Sequence, residues 1–345
     1  MNIPDKPLEV IWDITYACPL RCSHCYSESG RRPARRLGRS DLLRAARAIC
    51  ALGPYGVSIA GGEPLSIPDV AEVVRIFSAA GISTSLNTSG WTLRAEQIEQ
   101  LAGTLDRVSV SLDGATAEVH DRIRGRAGSF HRATGALERL DDTVRRRRDA
   151  GRDVFSLGID FTAVRSNFHQ VEWMCAEVAA RYPALEYLAI GAAVPEGLAS
   201  RAGFARRELL SDAEAALLGD RAHGVRLQAL APATVQVSVT DNLALKMHPE
   251  LVRAGVFLPV LQIEPDGEVR AMPAYEGTVG NVLCDAPHDL WRRAVARWHH
   301  PFVVAALEPA RTMEQWAAAV RAIDHRFGTA EDRARIARRP EFTGY

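Results

Sequence analysis

Three of the chain's six cysteines stand together in Cys18-Pro-Leu-Arg-Cys22-Ser-His-Cys25, a C-x3-C-x2-C spacing followed at once by Tyr26. Thiolates are soft ligands that suit iron–sulfur clusters, zinc or copper(I). A [4Fe–4S] cubane ordinarily takes four cysteines, so a set of three leaves one iron open to a small molecule. Such a cluster does chemistry as well as carrying electrons. Zinc is the competing reading. A structural zinc site takes four ligands, and His24 is at hand, although its position beside Cys25 is awkward for a tetrahedron. A disulfide is the third reading, and nothing in the sequence favours it. No apolar signal segment precedes the cysteines, and cysteines clustered without export signals point to a reducing cytosol.

A second constellation follows. A short apolar strand is expected at Gly56–Ala60 and runs into Gly61-Gly62-Glu63-Pro64. Glycines at a strand's end let the backbone approach a ligand closely, and a carboxylate held beside exposed backbone can receive an ammonium group. Alone, this is an ordinary turn. About 36 residues beyond Cys25, it completes a pattern: the cysteine spacing, Tyr26 and the Gly-Gly-Glu-Pro turn resemble the radical S-adenosylmethionine (SAM) enzymes. In that family the open iron chelates SAM through its amino and carboxylate groups, and the Gly-Gly-Glu turn binds the methionyl amino group. The segment SVSLDGATAEVHDRIRGRAGSF, residues 109–130, is similar to the corresponding stretch of members related to SPASM-domain peptide maturases. The resemblance implies that Ser111 and Arg124 hold the SAM carboxylate or ribose, and that Asn167 lies near SAM. Arg124 suits this role because a guanidinium offers a fork to a carboxylate; the alternative is a surface ion pair with Asp121.

The elements that must position these residues alternate. Strands are expected at Leu8–Ile14, Gly56–Ala60, Ile82–Leu86, Arg107–Leu112, Asp153–Thr162 and Leu185–Ile190. Helices are expected between them, at Leu42–Leu52 with Ser40-Asp41 as N-cap, Asp69–Ala80, Ala95–Ala102, Leu137–Ala150 and Val171–Tyr182. Strand, polar loop and helix in repetition specify parallel βα units. Polar residues gather where strands end, the ligand-binding face of βα barrels. That makes Asn87, Ser111 and Asp113 candidates to meet a nucleoside or carboxylate, with simple turn chemistry the alternative for Asn87. The resemblance covers roughly residues 8–200 and implies an α/β fold, a partial (β/α)6 TIM-like barrel.

Beyond it a small α+β appendage is expected, giving a division at 1–205 and 206–345. It begins with a helix at Asp212–Leu218 and strands at Val225–Ala229 and Val235–Thr240. Leu261–Arg270 reads as strand–turn–strand and, with Pro273, Gly280-Asn281 and Leu290-Trp291, is similar to SPASM or twitch domains. Helices are expected at Met313–Phe327 and Ala330–Arg339. Met272 stands where those domains carry a cluster cysteine, and Cys284 alone cannot hold a cluster. The appendage is therefore expected to keep the scaffold without auxiliary clusters, which favours a redox-neutral reaction such as epimerisation or rearrangement, or return of the electron to the active cluster. An epimerase needs a hydrogen donor; Cys284 and then Cys175 are the candidates, each against a structural reading.

The 345 residues are 47% hydrophobic with a formal net charge of zero. That balance gives no bulk electrostatic case for nucleic acid or an anionic membrane, and no apolar run of about 18 residues exists to span one. The expected protein is cytoplasmic. Its implied cofactors are one [4Fe–4S] cluster and SAM, and its implied partner is an external one-electron reductant of flavodoxin or ferredoxin type. The substrate is expected to be a ribosomally made precursor peptide, delivered by a separate recognition protein or by the appendage, since the first strand begins near Leu8. A small molecule (antibiotic sugar, amino acid or tetrapyrrole) is the alternative, and a non-catalytic iron–sulfur or zinc sensor is the reading from another class.

Overall fold

The computed structural model describes residues 3–273 and 275–345. Ten strands form one sheet: β1 Glu9–Asp13, β2 Gly56–Ala60, β3 Ser83–Thr88, β4 Arg107–Ser111, β5 Ser156–Ala163, β6 Leu185–Ala192, β7 Gln236–Thr240, β8 Val260–Ile263, β9 Glu268–Arg270 and β10 Thr278–Asn281. Their spatial order is β10-β9-β8-β1-β2-β3-β4-β5-β6-β7. Neighbours from β8 through β7 pair in parallel, and β9 and β10 run antiparallel at one edge. The helices are α1 Arg39–Leu52, α2 Val70–Ala79, α3 Ala95–Leu101, α4 Ala117–Arg124, α5 Ser129–Asp149, α6 (171–181, with a π-wound turn at Met174–Val178), α7 Ala202–Arg207, α8 Asp212–Gly219, α9 Arg221–Leu230, α10 Pro249–Arg253, α11 Pro287–Trp298, α12 Pro301–Leu307, α13 Met313–Phe327 and α14 Ala330–Ala337.

The central strands alternate. Val57, Ile59, Leu86, Val108, Val110, Leu157, Ile159, Leu188 and Ile190 are buried in the apolar core. The intervening positions are small or polar, and Glu9, Ser85, Arg107, Asp160, Tyr187 and Ser238 line one cavity of about 390 Å³. Those six residues come from β1, β3, β4, β5, β6 and β7. Strands six places apart in the sheet touch the same space only if the sheet curls, so the βα units form a barrel with a polar lumen. Barrel interiors are ordinarily filled by branched apolar side chains; this one is not.

Six βα units were expected, and the parallel run has eight strands. β7 continues the sheet beyond β6, and β8 pairs with the other edge of β1, register Glu9↔Val260 to Trp12↔Ile263. The expected division at residue 205 falls inside α7, and both sides of it contribute strands to one sheet. Val225–Ala229, expected as a strand, lies in α9. There the Asp220 carboxylate accepts from the Ala222 and His223 amides and caps the helix, while Leu227 is buried. The α1 N-cap is Gly38, not Ser40-Asp41.

The C-terminal helices are tied to the barrel by buried charge. Arg270 donates from Nε to Glu264 at 2.6 Å and lies 2.9 Å from Glu276. Arg335 pairs with Glu276 at 2.6 Å and with Glu28, and Arg339 donates to Glu28 at 2.8 Å. Met272 is fully packed beside this network, with Trp298 donating to the Ala271 carbonyl and Trp316 to the Tyr275 hydroxyl. Removing one partner of a buried ion pair leaves an uncompensated charge and costs about 3–5 kcal/mol. Arg270→Met should therefore lower unfolding stability in urea by about that amount. Adding Glu264→Gln, which removes the carboxylate left behind while Glu276 keeps Arg335, should restore part of the loss; no restoration would mean that packing, not charge, sets the cost.

Candidate metal and cofactor site

The cysteine loop leaves the C-terminal end of β1 and is gripped by three other strand-end loops. From the turn after β2, Gly62 donates to the Thr15 carbonyl at 2.7 Å and Glu63 to the Ala17 carbonyl at 2.8 Å. From the end of α4, Arg124 accepts from the Arg21 amide at 3.1 Å and Ile123 from the Ser23 amide at 3.0 Å. After β6, Leu198 donates to the Cys25 carbonyl at 3.0 Å. The first grip demands glycine. Gly61 has φ +107°, a region unfavourable to side chains, and a Cβ on Gly62 would overlap the Ala17 carbonyl oxygen.

Tyr26 donates its hydroxyl proton to Asp13 at 2.6 Å and accepts from the Gly61 amide at 3.2 Å. The other Asp13 oxygen accepts from Gln262 at 2.7 Å. Burial pushes the Asp13 carboxyl up to about 6, against the hydrogen bonds from Tyr26 and Gln262 and the charge of Arg270. Tyr26 thus joins β1, the glycine turn and β8.

Cys22 is buried, and Cys18 and Cys25 are partly so. Burial raises all three thiols, to about 11 for Cys25, and Cys22 raises both of its neighbours further. Metal binding has to displace these protons. Among the described residues no three His, Cys, Asp or Glu side chains gather tightly enough to share one metal ion. A cubane asks something else, since each cysteine ligates a different iron. His24, the zinc reading's fourth ligand, instead lies 3.5 Å from Asp113, and burial lowers it to about 4.

Arg124 stands over this loop, its Nη1 3.9 Å from the Cys22 sulfur and its Nε 2.6 Å from Asp113. Its partner is therefore the buried Asp113 and not Asp121, which accepts from Gly128, Ser129 and Phe130 and so fixes the start of α5. Burial pushes Asp113 up, but the Arg124 charge, with His24, His120 and the Thr162 amide added to it, brings the carboxyl below its ordinary range. The other Asp113 oxygen accepts from the Thr162 amide, and Asn167 donates to the Asp113 and Thr162 carbonyls. Asn167 secures the loop after β5 and, through it, Asp113.

Glu63 is fully buried and takes four hydrogen bonds, all from neutral donors: Leu65 N at 3.2 Å, Thr88 Oγ1 at 2.6 Å, Ser89 N at 3.0 Å and Ser89 Oγ. Burial raises its pKa, and the donors only partly counter this. An ammonium ligand replacing the Ser89 hydroxyl would relieve that cost. Pro64 opens the 3-10 turn that Glu63 caps. Ser111 is half-buried at the end of β4. Asn87 faces the lumen, donating to Ser58 at 3.1 Å and accepting from Ser109 at 2.6 Å. Ser109 also contacts Asp160, whose burial raises its pKa.

The structure gathers Cys18, Cys22, Cys25, Tyr26, Gly61, Gly62, Glu63, Pro64, Asp113 and Arg124 around one loop. It does not bring Cys175 or Cys284 there: Cys175 is fully buried in the apolar core on α6, and Cys284 is exposed beyond β10, at the sheet's outer edge. Sequence reading missed Asp13, Ser109, Asp160 and Gln262; the signal was the run of polar residues at alternate strand positions. Gly62→Ala should push the Glu63 turn off the cysteine loop, and iron retained per chain after anaerobic reconstitution should fall at least severalfold. Wild-type iron content in that variant would mean the two loops are independent.

Residues 12–161 match the family described as the radical SAM superfamily. Mycofactocin maturase of Mycolicibacterium smegmatis is 36% identical over 182 residues, 52% of this chain and 43% of that protein. AdoMet-dependent heme synthase of Methanosarcina barkeri is 37% identical over 138 residues, 39% of this chain and 40% of that protein. The matched part is thus less than half the length of these relatives. Among solved structures, Streptococcus suis SuiB bound to S-adenosylmethionine superposes with a TM-score of 0.62 at 17% identity, covering 83% of this chain and 66% of that one; SuiB has also been solved with its precursor peptide SuiA. No helix among the described residues is long and apolar enough to cross a membrane. The match and the clasped cysteine loop agree: residues 12–161 of this chain form a radical SAM domain.

Proposed function

We propose that the chain is a radical SAM enzyme in which Cys18, Cys22 and Cys25 hold one [4Fe–4S] cluster. The observation that carries this is the cysteine loop itself, one buried and two partly buried thiols gripped by the Gly61-Gly62-Glu63 turn and overlooked by Arg124. When bound, the cluster and SAM together supply a 5′-deoxyadenosyl radical that takes a hydrogen atom from the substrate. Glu63 receives the methionyl ammonium of SAM, its buried carboxylate gaining the cation it lacks. Arg124, with Asp113 fixing its Nε, keeps Nη2 for a carboxylate and sets a positive charge beside the Cys22 thiolate. Ser111 lies on the same strand-end rim.

A ribosomally made precursor peptide is the substrate class this reading favours, because mycofactocin maturase is the relative sharing the longer matched segment and SuiB has a precursor peptide as its ligand. A tetrapyrrole is the second reading, favoured by the 37% identity to a heme synthase. The position of Met272, packed in the core where related domains carry a cysteine, supports a single cluster and a redox-neutral outcome, with an external one-electron reductant priming the reaction and cytoplasmic residence.

Anaerobic reconstitution should load about four irons per chain, and Cys22→Ala should lose them. Glu63→Gln should keep the iron and bind SAM about tenfold or more weakly, the scale of a hydrogen bond to a charged group, measured by equilibrium dialysis. Zinc in place of iron, or SAM affinity unchanged in Glu63→Gln, would overturn the assignment. Incubation with a precursor peptide or a tetrapyrrole, read by mass and by 5′-deoxyadenosine release, separates the two substrate classes.

A further inference from the structure

Many arginines in this chain have a carboxylate partner, as Arg145, Arg147 and Arg293 do. Four around the cysteine loop form no ion pair among the described residues. Arg21, exposed, donates to the Cys18 and Leu20 carbonyls at 3.2 and 2.8 Å. Arg31 donates to the Arg21 carbonyl at 2.8 Å, and Arg126 to the Pro19 carbonyl at 2.6 Å. Arg126 and Arg132 flank the Trp91 ring, at 3.8 and 5.5 Å from its centroid. Together they form a continuous collar, Arg132, Trp91, Arg126, Pro19, Arg21 and Arg31, with its positive ends in water. The acids nearby are already engaged: Asp121 caps α5, and Glu28 is buried under Arg335 and Arg339. The collar is not built for stability, because uncompensated like charges repel; behind it, burial and then the charges of Arg31 and Arg339 lower Arg201 to about 10.

The collar surrounds the stretch of loop that lies between Cys18 and Cys22, with Cys18 itself only partly covered. We infer that it is the docking surface for a small acidic one-electron carrier protein. The inference rests on the cluster proposed above and adds its partner. Complementary charge raises encounter rates and orients a transient complex, and redox complexes use small interfaces of this kind. In the docked pair one electron leaves the reduced carrier and enters the cluster; no atom or proton changes hands. A nucleic acid would need a larger positive field than a chain of zero net charge supplies. An acidic peptide segment is the remaining competitor, and proximity to the thiols favours the carrier.

The test compares reconstituted wild type with Arg31→Glu/Arg132→Glu, whose side chains contact neither the thiols nor the glycine turn. The probe is an acidic plant-type ferredoxin. Its binding, followed by calorimetry at low and at physiological salt, should weaken in the variant by about tenfold or more and lose most of its salt dependence. Cluster reduction by ferredoxin should slow in step, while reduction by dithionite proceeds at the wild-type rate. Arg31→Gln/Arg132→Gln should fall between. A fully loaded variant that binds ferredoxin as wild type does overturns this inference alone, and so does a variant that loses affinity only for a polyglutamate peptide. A wild type that takes up no iron overturns the cluster assignment as well.

Discussion

Two backbone hydrogen bonds, from Gly62 to Thr15 and from Glu63 to Ala17, set how closely the turn after β2 lies against the cysteine loop. Their geometry leaves no room for a Cβ, so the approach is fixed by sterics before any side chain contributes. The rest of the site depends on that approach. It places Glu63 between the loop and the Thr88-Ser89 turn after β3, and it delivers the Gly61 amide to Tyr26. The tyrosine then reaches Asp13 and, through it, Gln262. A backbone contact between two loops therefore propagates across four strands of the sheet, β8, β1, β2 and β3.

Charge follows the same hierarchy. The mouth of the barrel holds buried carboxylates of two kinds. Asp113 and Glu264 have guanidinium partners, and those charges, set against the cost of burial, keep both below their ordinary range. Asp13, Glu63 and Asp160 have neutral hydrogen-bond partners, and burial dominates, keeping them above it. Buried carboxyls without a counter-ion are costly to ionise, so the second group marks where a cationic or hydrogen-bonding ligand gains most. Glu63 and Asp160 lie on opposite sides of the strand-end rim, one toward the cysteine loop and the other in the lumen.

The parts of this arrangement that depend on local chain chemistry were legible in the sequence. Gly56–Ala60 and Met313–Phe327 coincide with β2 and α13, because alternation and helical periodicity are properties of neighbouring residues. Partners far apart in sequence were not legible. Arg124 was weighed against Asp121, three residues away, yet it pairs with Asp113 because the β4 loop folds back under α4. The lumen was missed for a similar reason: the serines at 83, 85 and 109 line one cavity only once the sheet curls. Val225–Ala229 has strand-like composition, and the Asp220 cap decided for a helix.

The pairing of β8 with β1 has a consequence for how the site comes into being. Residues 9–12 find their second sheet neighbour only at residues 260–263, some 250 positions later in synthesis. Until then the first strand has a bare edge, and Asp13 lacks Gln262 on one side of the cysteine loop. Contacts so distant in sequence form late and slowly. The nascent chain thus carries its three thiols some 240 residues before the strand that completes the sheet beside them.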